Sequence, residues 1–377
     1  MKPAAVCVEP VVSRSDTRRF LHLPWRLYAG DPCWIPPLRS QIAGLLDRRH
    51  PFYEAGGGDR QLFLAWRAGR PVGRLAAILN RSHNRFHGDR SGFFGFFECD
   101  DDPAAARALV EAAAEWLRDL GCDRLIGPVN PSTNYECGLL VDGFDIPPAV
   151  MMPYNPSRYA DLLEGAGLRK ARDLLAFRSE VHDGSLLRLK RLADRVRARE
   201  GDLETRSVDL GNLARDVELV RFVYNRAWER NWGFVPASAG EFSYLAREIK
   251  GVVDPSLLRI ALRGGSPVGF LLALPDINPA LAVLNGTLTN PWRLLKAALV
   301  GRRRLGLRVL TMGVIPEARM RGVEALLVYE SLQAALDRGY RWCEYSWILE
   351  DNELVKGTIR LMATQESQRY RLYEMDV

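Results

Sequence analysis

The sequence predicts an α/β chain that contains two copies of one unit, and three observations lead to this prediction. The pattern Leu-x-x-Ala-x-Arg-x-Gly-x-Pro-Val-Gly occurs at residues 62–73 and again at residues 258–269. After each occurrence the predicted elements follow in the same order, which is hairpin, strand, helix and strand. The length of 377 residues is sufficient for two ordinary domains. We therefore expect two domains that divide near residues 182–202.

Composition limits the classes of function. Apolar residues make up 47% of the chain and charged residues 26%, as in globular proteins. The net charge of +6 is too small to indicate a nucleic-acid partner, and it counts against aminoacyl transfer from a charged tRNA. It suits acidic ligands or an anionic membrane surface. The six cysteines form no C-x-x-C pair, so we expect reduced thiols and no metal site.

We expect a cytoplasmic protein, and peripheral contact with the inner membrane is the alternative left open. The first residues lack the apolar core of a signal peptide. No apolar run approaches the roughly 18 residues that a membrane span requires.

The elements of the first copy follow from composition and periodicity. Residues 62–80 predict a hairpin, because Ala68-Gly69-Arg70-Pro71 supplies a turn between two apolar runs. Residues 92–98 predict a strand, the alanine-rich residues 103–120 a helix, and residues 125–129 a short buried strand.

A polar loop follows that buried strand. Open α/β sheets bind ligands at the carboxyl ends of strands, so the loop is a candidate for contact with a polar substrate. Its candidate substrate-binding residues are Asn130, Ser132, Thr133 and Asn134, and Glu136 is a candidate proton acceptor. The alternative is a turn capped by its own side chains, since Asn, Ser and Thr readily bond to nearby backbone.

The second copy begins after a basic amphipathic helix at residues 185–200. This helix is either an interdomain helix with a solvated basic face or a helix on a membrane surface. A strand at 203–208 and a helix at 213–228 come next, and then an aromatic loop that contains Trp232. We place the first domain at residues 1–182, a basic linker helix at 183–202 and the second domain at 203–377.

Residues 309–335 form the stretch around which the second copy is organised. An apolar strand ends at Pro316, two arginines and a glycine follow, and the apolar spacing then becomes helical. The unpaired N–H groups and positive dipole end of a helix, with guanidinium groups beside them, attract anions. The candidate binding residues are Met312, Val314, Arg319, Arg321, Gly322 and Val323. The first copy has four carboxylates ahead of the corresponding helix, those of Glu98, Asp100, Asp101 and Asp102, which oppose phosphate by charge repulsion. We therefore expect the second copy to bind the anionic ligand and the first to be a degenerate scaffold.

The segment from Arg319 to Val323 resembles motif A of the GNAT acyltransferases, Arg/Gln-x-x-Gly-x-Gly/Ala, which binds the pyrophosphate of acyl-CoA. The resemblance implies two tandem GNAT-like domains, each with a mixed, mostly antiparallel central sheet flanked by helices. It also implies acyl-CoA as cosubstrate, with no permanently bound cofactor. Glu324 departs from the motif where Gly or Ala is expected, so a thioester on an acyl carrier protein remains the alternative donor.

The end of the chain resembles GNAT enzymes in a second respect. Asn352 follows the last central strand, and Tyr370 and Tyr373 lie in a tyrosine-rich closing segment. The resemblance implies that a tyrosine hydroxyl protonates the leaving thiolate and that Trp232 contacts an apolar acceptor. Packing within a strand is the alternative role of both tyrosines.

The segment 290–308 combines a tryptophan, an apolar face and clustered positive charge. Its basic residues are Arg293, Lys296, Arg302, Arg303, Arg304 and Arg308. This composition suits the lipid headgroup layer. An acidic carrier protein or plain solvent are the alternatives.

The segments 130–134 and 346–352 resemble a tandem-GNAT bacterial family that includes proposed bacterial ceramide synthases. This resemblance implies N-acylation of a long-chain, sphingoid-type amine by an acyl thioester in bacterial lipid synthesis. The alternative is a non-catalytic degenerate GNAT module that binds acyl-CoA or a membrane.

Overall fold

The two predicted copies fold as two α/β units. The computed structural model describes residues 4–54, 57–229, 231–303, 305–360, 362 and 364–377. The first unit contains Met1–Leu174, Leu281–Leu294 and Gln368–Val377, and the second contains Leu175–Ala280 and Leu295–Ser367. The closing residues of the chain therefore belong to the first unit.

The elements up to the end of the first unit's main segment are, in chain order, β1 (Val6–Pro10), α1 (Arg14–Leu27), α2 (Arg39–Leu45), α3 (Pro51–Glu54), β2 (Gly58–Arg67), β3 (Arg70–Asn80), α4 (Arg81–His87), β4 (Ser91–Cys99), α5 (Pro103–Asp119), β5 (Arg124–Gly127), β6 (Val129–Asn130), β7 (Glu136–Cys137), β8 (Leu139–Asp142), α6 (Arg158–Gly165) and β9 (Arg169–Glu180). The last of these strands crosses the division between the units.

The remaining elements are α7 (Asp183–Arg199), β10 (Leu203–Ser207), α8 (Leu213–Trp228), α9 (Ala239–Ile249), β11 (Leu258–Arg263), β12 (Ser266–Pro275), α10 (Asn278–Leu284), α11 (Pro291–Gly301), β13 (Gly306–Val314), α12 (Val323–Asp337), β14 (Trp342–Leu349), α13 (Glu353–Arg360) and β15 (Gln365–Asp376).

The same pattern of strand pairing occurs within each of the two units. In the first, β1, β2, β3 and β4 are antiparallel neighbours, and β4 pairs in parallel with β5. In the second, β10 to β13 are antiparallel neighbours, and β13 pairs in parallel with β14. The helix that connects each parallel pair is α5 in one unit and α12 in the other. This arrangement confirms mixed, mostly antiparallel strand pairing in each unit, with helices that flank the strands.

The helix α5 shows how the first unit positions its strands. Asp102 caps the helix by accepting a hydrogen bond from the Ala105 N–H at 3.1 Å, and Pro103 occupies the first turn, where no N–H partner is needed. Its apolar face packs on the sheet, and Leu117 lies against Gly92 of β4. A Cβ at Gly92 would lie 2.7 Å from the Leu117 methyl groups, so a glycine is needed there.

In the second unit the basic helix α7 turns its apolar side inward. Leu186, Leu189, Ala193 and Val196 are buried in the same core as α12. Its basic side chains face outward, and Arg197 pairs with Glu330 of α12 at 2.9 Å. This helix is therefore a packed part of the second unit.

One expectation for the basic segment is wrong. Arg308 was expected beside Arg302 and Arg303 in a headgroup-facing cluster, but it is fully buried in β13, because the strand begins at Gly306. Arg304 lies outside the described residues. Over the described part of the chain, no helix combines the length and apolarity needed to cross a bilayer.

We predict that Leu117→Ala destabilises the first unit by about 2–5 kcal/mol, because it leaves a cavity beneath β4. The matched control is Leu120→Ala, three residues later, where the side chain is 42% exposed, so a change within about 0.5 kcal/mol is expected. Urea unfolding followed by circular dichroism measures both. Equal shifts for the two variants would contradict this view of the α5 packing.

Candidate functional site

The parallel pairing of β13 with β14 stops partway along both strands. The register ends at Val309 opposite Tyr345, although β13 continues to Val314 and β14 to Leu349. On its other side β13 stays paired with β12, with a bulge beside Val309. We call residues 310–314 and 346–349 the second-unit fork. No other described strand neighbours β13 there, so this edge has no ladder partner.

In the first unit, β4 and β5 also stop pairing partway along the strands, but residues of the protein itself occupy the space between them. The pairing of β4 with β5 ends at Phe93 opposite Ile126, and β6 follows directly. Asn130 accepts a hydrogen bond from the Phe96 N–H through its Oδ1 at 2.7 Å. A Cβ at Gly95 would lie 1.8 Å from the Val129 carbonyl oxygen, so this backbone packs directly against β4. A bound molecule cannot take this position without displacing Asn130.

The start of α12 lies next in the chain after β13. Gly322 caps the helix with φ of +85°, a left-handed conformation that favours glycine. A Cβ there would also lie 2.5 Å from a methyl group of Val196 on α7. The glycine thus sets the direction of the helix, whose first N–H groups can bind an anion.

The two arginines of the predicted cradle have different surroundings. Arg319 donates to the carbonyl oxygens of Val314, at 3.3 Å, and of Ala227, at 2.7 Å. Arg321 is half-exposed and pairs with Glu200 at 3.3 Å. Arg319 therefore holds the end of β13 in place, whereas Arg321 presents its charge to solvent.

Glu324 lies one residue into α12 and tempers the positive charge of this region. Burial raises the pKa of Glu324, while a hydrogen bond from its own backbone N–H and the nearby Arg319 guanidinium oppose the rise.

Buried polar side chains lie at the base of the second-unit fork. Arg308 and Glu344 are register partners one step before the strands separate. Arg308 Nε donates to Ser346 Oγ at 2.9 Å, and Ser346 Oγ donates to Glu344 Oε1 at 3.1 Å. Burial raises the pKa of Glu344, and the Arg308 charge opposes the rise. A buried carboxyl of this kind at the base of an unpaired edge is a candidate proton acceptor.

Sequence reasoning missed Glu344, although a signal was present. The apolar strand sequence of β14 carries one carboxylate in its interior, and β13 carries one guanidinium. Opposite charges inside two neighbouring buried strands predict a buried ion pair.

The structure places the other predicted residues of the second unit as follows. Met312 accepts a hydrogen bond from Trp228 Nε1 through its carbonyl oxygen at 3.2 Å, and Val314 is buried beside Gly269. Val323 is buried at the first position of α12. Asn352 caps α13 by accepting from the Val355 N–H at 3.2 Å. Trp232 is half-buried in the loop after α8.

Both predicted tyrosines lie in the first unit. Tyr370 and Tyr373 are fully buried in β15, opposite Leu140 and Gly127 respectively. Tyr373 donates to Glu164 Oε1 at 3.1 Å. Burial and this carboxylate raise the pKa of Tyr373 above its usual range. The proton-donor role of either tyrosine stays a prediction.

The predicted polar loop is held by its own short-range pairing. Asn130 and Glu136 are register partners between β6 and β7. Ser132 is buried and accepts from the Asn134 N–H at 3.3 Å, while Thr133 is half-buried. These contacts match the turn that was the alternative interpretation, and the substrate-binding roles of the loop remain predictions.

Comparison with solved structures defines the class of fold. The chain superimposes on a tandem GNAT protein from the clavulanic acid biosynthesis pathway with a TM-score of 0.58, at 16% identity, over 99% of this chain and 98% of the other. A GCN5-related N-acetyltransferase from Sphaerobacter thermophilus gives a TM-score of 0.51 at 14% identity, over 98% and 95% of the two chains. These matches show a tandem GNAT fold. No family model matches the sequence.

Two curated proteins match over nearly their whole length. Protein YghO of Escherichia coli strain K12 is 35% identical over 380 residues, with 98% of this chain and 95% of the relative covered. The bacterial ceramide synthase of Caulobacter vibrioides is 34% identical over 379 residues, with 98% and 97% covered. The chain therefore belongs to the tandem GNAT family that contains these two proteins, as the sequence resemblance implied.

We predict that Arg321→Ala weakens binding of coenzyme A about tenfold, because one charged phosphate partner is lost while the fold is kept. Arg319→Ala should also lower the melting temperature, since two backbone carbonyls lose their donor. Arg197→Ala, a half-exposed arginine on α7, is the control and should leave affinity unchanged. Calorimetric titration and thermal unfolding measure these effects. Equal affinity for the Arg321 and Arg197 variants would contradict the anion site.

Proposed function

We propose that this protein is an N-acyltransferase that moves a fatty acyl group from a thioester to the primary amine of a sphingoid-type base. The observation that carries the proposal is the unpaired edge of β13 in the second unit, followed by the glycine-capped start of α12. Whole-length similarity to a bacterial ceramide synthase supports the choice of acceptor.

The donor would bind along the second-unit fork. The amide groups of its pantetheine arm would take the place of a missing strand beside Met312 and Val314. Its phosphates would lie at the first N–H groups of α12, with Arg321 beside them. Coenzyme A and an acyl carrier protein share the phosphopantetheine arm, so either thioester fits this arrangement.

The reaction forms a C–N bond and breaks a C–S bond. The neutral amine attacks the thioester carbonyl, and a backbone N–H of β13 stabilises the developing oxyanion. We assign Glu344 as acceptor of the amine proton, directly or through Ser346. The departing thiolate takes up a proton, for which Tyr370 and Tyr373 remain the proposed donors. Holding both reactants in place would supply much of the rate enhancement.

The remaining predicted residues keep their proposed roles. Asn130, Ser132, Thr133 and Asn134 would contact the polar head of the acceptor, Trp232 its apolar part, and Asn352 the region after β14. Glu136 remains a second proposed base. We place the reaction in the cytoplasm, with the inner membrane as the source of the apolar acceptor.

The decisive assay incubates the purified protein with a sphingoid base and either a fatty acyl-CoA or a fatty acyl carrier protein thioester. Mass spectrometry follows the amide, and a thiol reagent follows the released carrier. We expect amide and thiol in equal amounts with at least one donor. Absence of amide with both donors would reject the acceptor assignment.

A second candidate function is a non-catalytic module that binds acyl thioesters. Glu324 at the start of α12 and the pairing of Arg321 with Glu200 favour it, because both oppose tight phosphate binding. Binding of acyl-CoA without thiol release, tested with a pool of amines, would support this module and contradict the transferase.

We predict that Glu344→Gln lowers kcat/KM by about a hundredfold or more, with little change in coenzyme A affinity, because only proton removal is lost. Because burial raises the pKa of Glu344 above the ordinary range of a glutamate, wild-type activity should fall as the pH decreases through that raised pKa and the base becomes protonated. The variant should lack that decline. Glu218→Gln, at a half-exposed position on α8, is the control. An unchanged pH profile in the Glu344 variant would exclude this base.

A further inference from the structure

The helix α11 exposes large apolar side chains. Trp292 is 78% exposed, and Leu295 and Leu299 are each 56% exposed. Soluble proteins rarely leave several large apolar groups together in water, and such patches usually mark a binding surface.

These three side chains form one ridge. At 3.6 residues per turn, positions 292, 295 and 299 lie within about 60° of one another around the helix axis. Ala297 points to the opposite side and is buried. The helix therefore packs through its small residue and turns its large apolar residues outward, the reverse of the usual amphipathic arrangement.

Positive charge borders the ridge. Lys296 is exposed at a helical position beside the ridge, and Arg302 is exposed directly after the helix ends at Gly301. Residues 277–316 contain no aspartate or glutamate, so no acidic side chain of this segment offsets the charge. A second copy of this chain would bring like charges together and is therefore a poor occupant.

We propose that α11 binds the surface of an anionic lipid bilayer. The binding surface, which we call the α11 face, consists of Trp292, Leu295, Leu299, Lys296 and Arg302. The tryptophan and leucines enter the boundary between headgroups and acyl chains, and the two cations pair with lipid phosphates. The helix lies in the plane of the surface and does not cross it. This binding does not depend on the proposed reaction.

The test uses the full-length protein and sedimentation with vesicles of phosphatidylcholine, with or without phosphatidylglycerol. We expect binding that requires phosphatidylglycerol and weakens with added salt. The combined variant Trp292→Ser, Leu295→Ser and Leu299→Ser should lose at least about tenfold in partitioning, because its apolar insertion is removed.

The matched control replaces three exposed apolar residues elsewhere, Leu120→Ser, Leu187→Ser and Phe222→Ser, whose side chains are 42%, 50% and 45% exposed. It should bind as the wild type does, and both variants should keep the wild-type melting temperature. Equal binding by the α11 variant and the control would overturn the proposal. The proposal would also be overturned if the wild type bound an acyl carrier protein but neither vesicle, and if the α11 variant lost that binding.

Discussion

The central constraint is the point at which β13 and β14 stop pairing. Backbone polar groups need partners, and past Val309 and Tyr345 no strand among the described residues lies beside one edge of β13. Trp228 and Arg319 donate to the carbonyl oxygens of Met312 and Val314, and an extended ligand with its own carbonyl groups can accept from the N–H groups of this edge. The first unit shares the strand arrangement but supplies such a partner from its own chain, since Asn130 bonds to the Phe96 N–H. The two units therefore share one strand arrangement, but the edge of β13 is open to a ligand and the edge of β4 is occupied by the protein.

The charges at the starts of α5 and α12 also differ between the two units, and they too favour a ligand in the second unit. In the first unit, Asp102 pairs with Arg67 at 2.7 Å and Asp100 with Arg26 at 2.9 Å, so the acidic helix start is neutralised by the protein itself. In the second unit, the half-exposed Arg321 accompanies a glycine-capped helix start. The nearby carboxylates of Glu200 and Glu324 moderate this attraction.

Much of the fold could be predicted from the sequence, because its signals are local. The turn at Ala68-Gly69 and the Arg-x-Arg-Gly sequence before α12 act over a few residues, and both lie where expected. The membership of residues 368–377 in the first unit depends on pairing between distant strands, which periodicity does not specify. Arg308 was misplaced because composition alone does not distinguish the end of a basic helix from the start of a buried strand. Glu344 was missed for a related reason, since its meaning comes from the neighbouring strand that pairs with it.

The most direct test of the central claim is hydrogen–deuterium exchange of the full-length protein with and without coenzyme A. We expect slower exchange at residues 310–314 and at the first turn of α12, because the ligand supplies hydrogen-bond partners there. The corresponding residues 94–97 of β4 should exchange at unchanged rates, since Asn130 already occupies that edge. Protection of residues 94–97 instead, or of neither region at saturating coenzyme A, would contradict the assignment of the donor to the second unit.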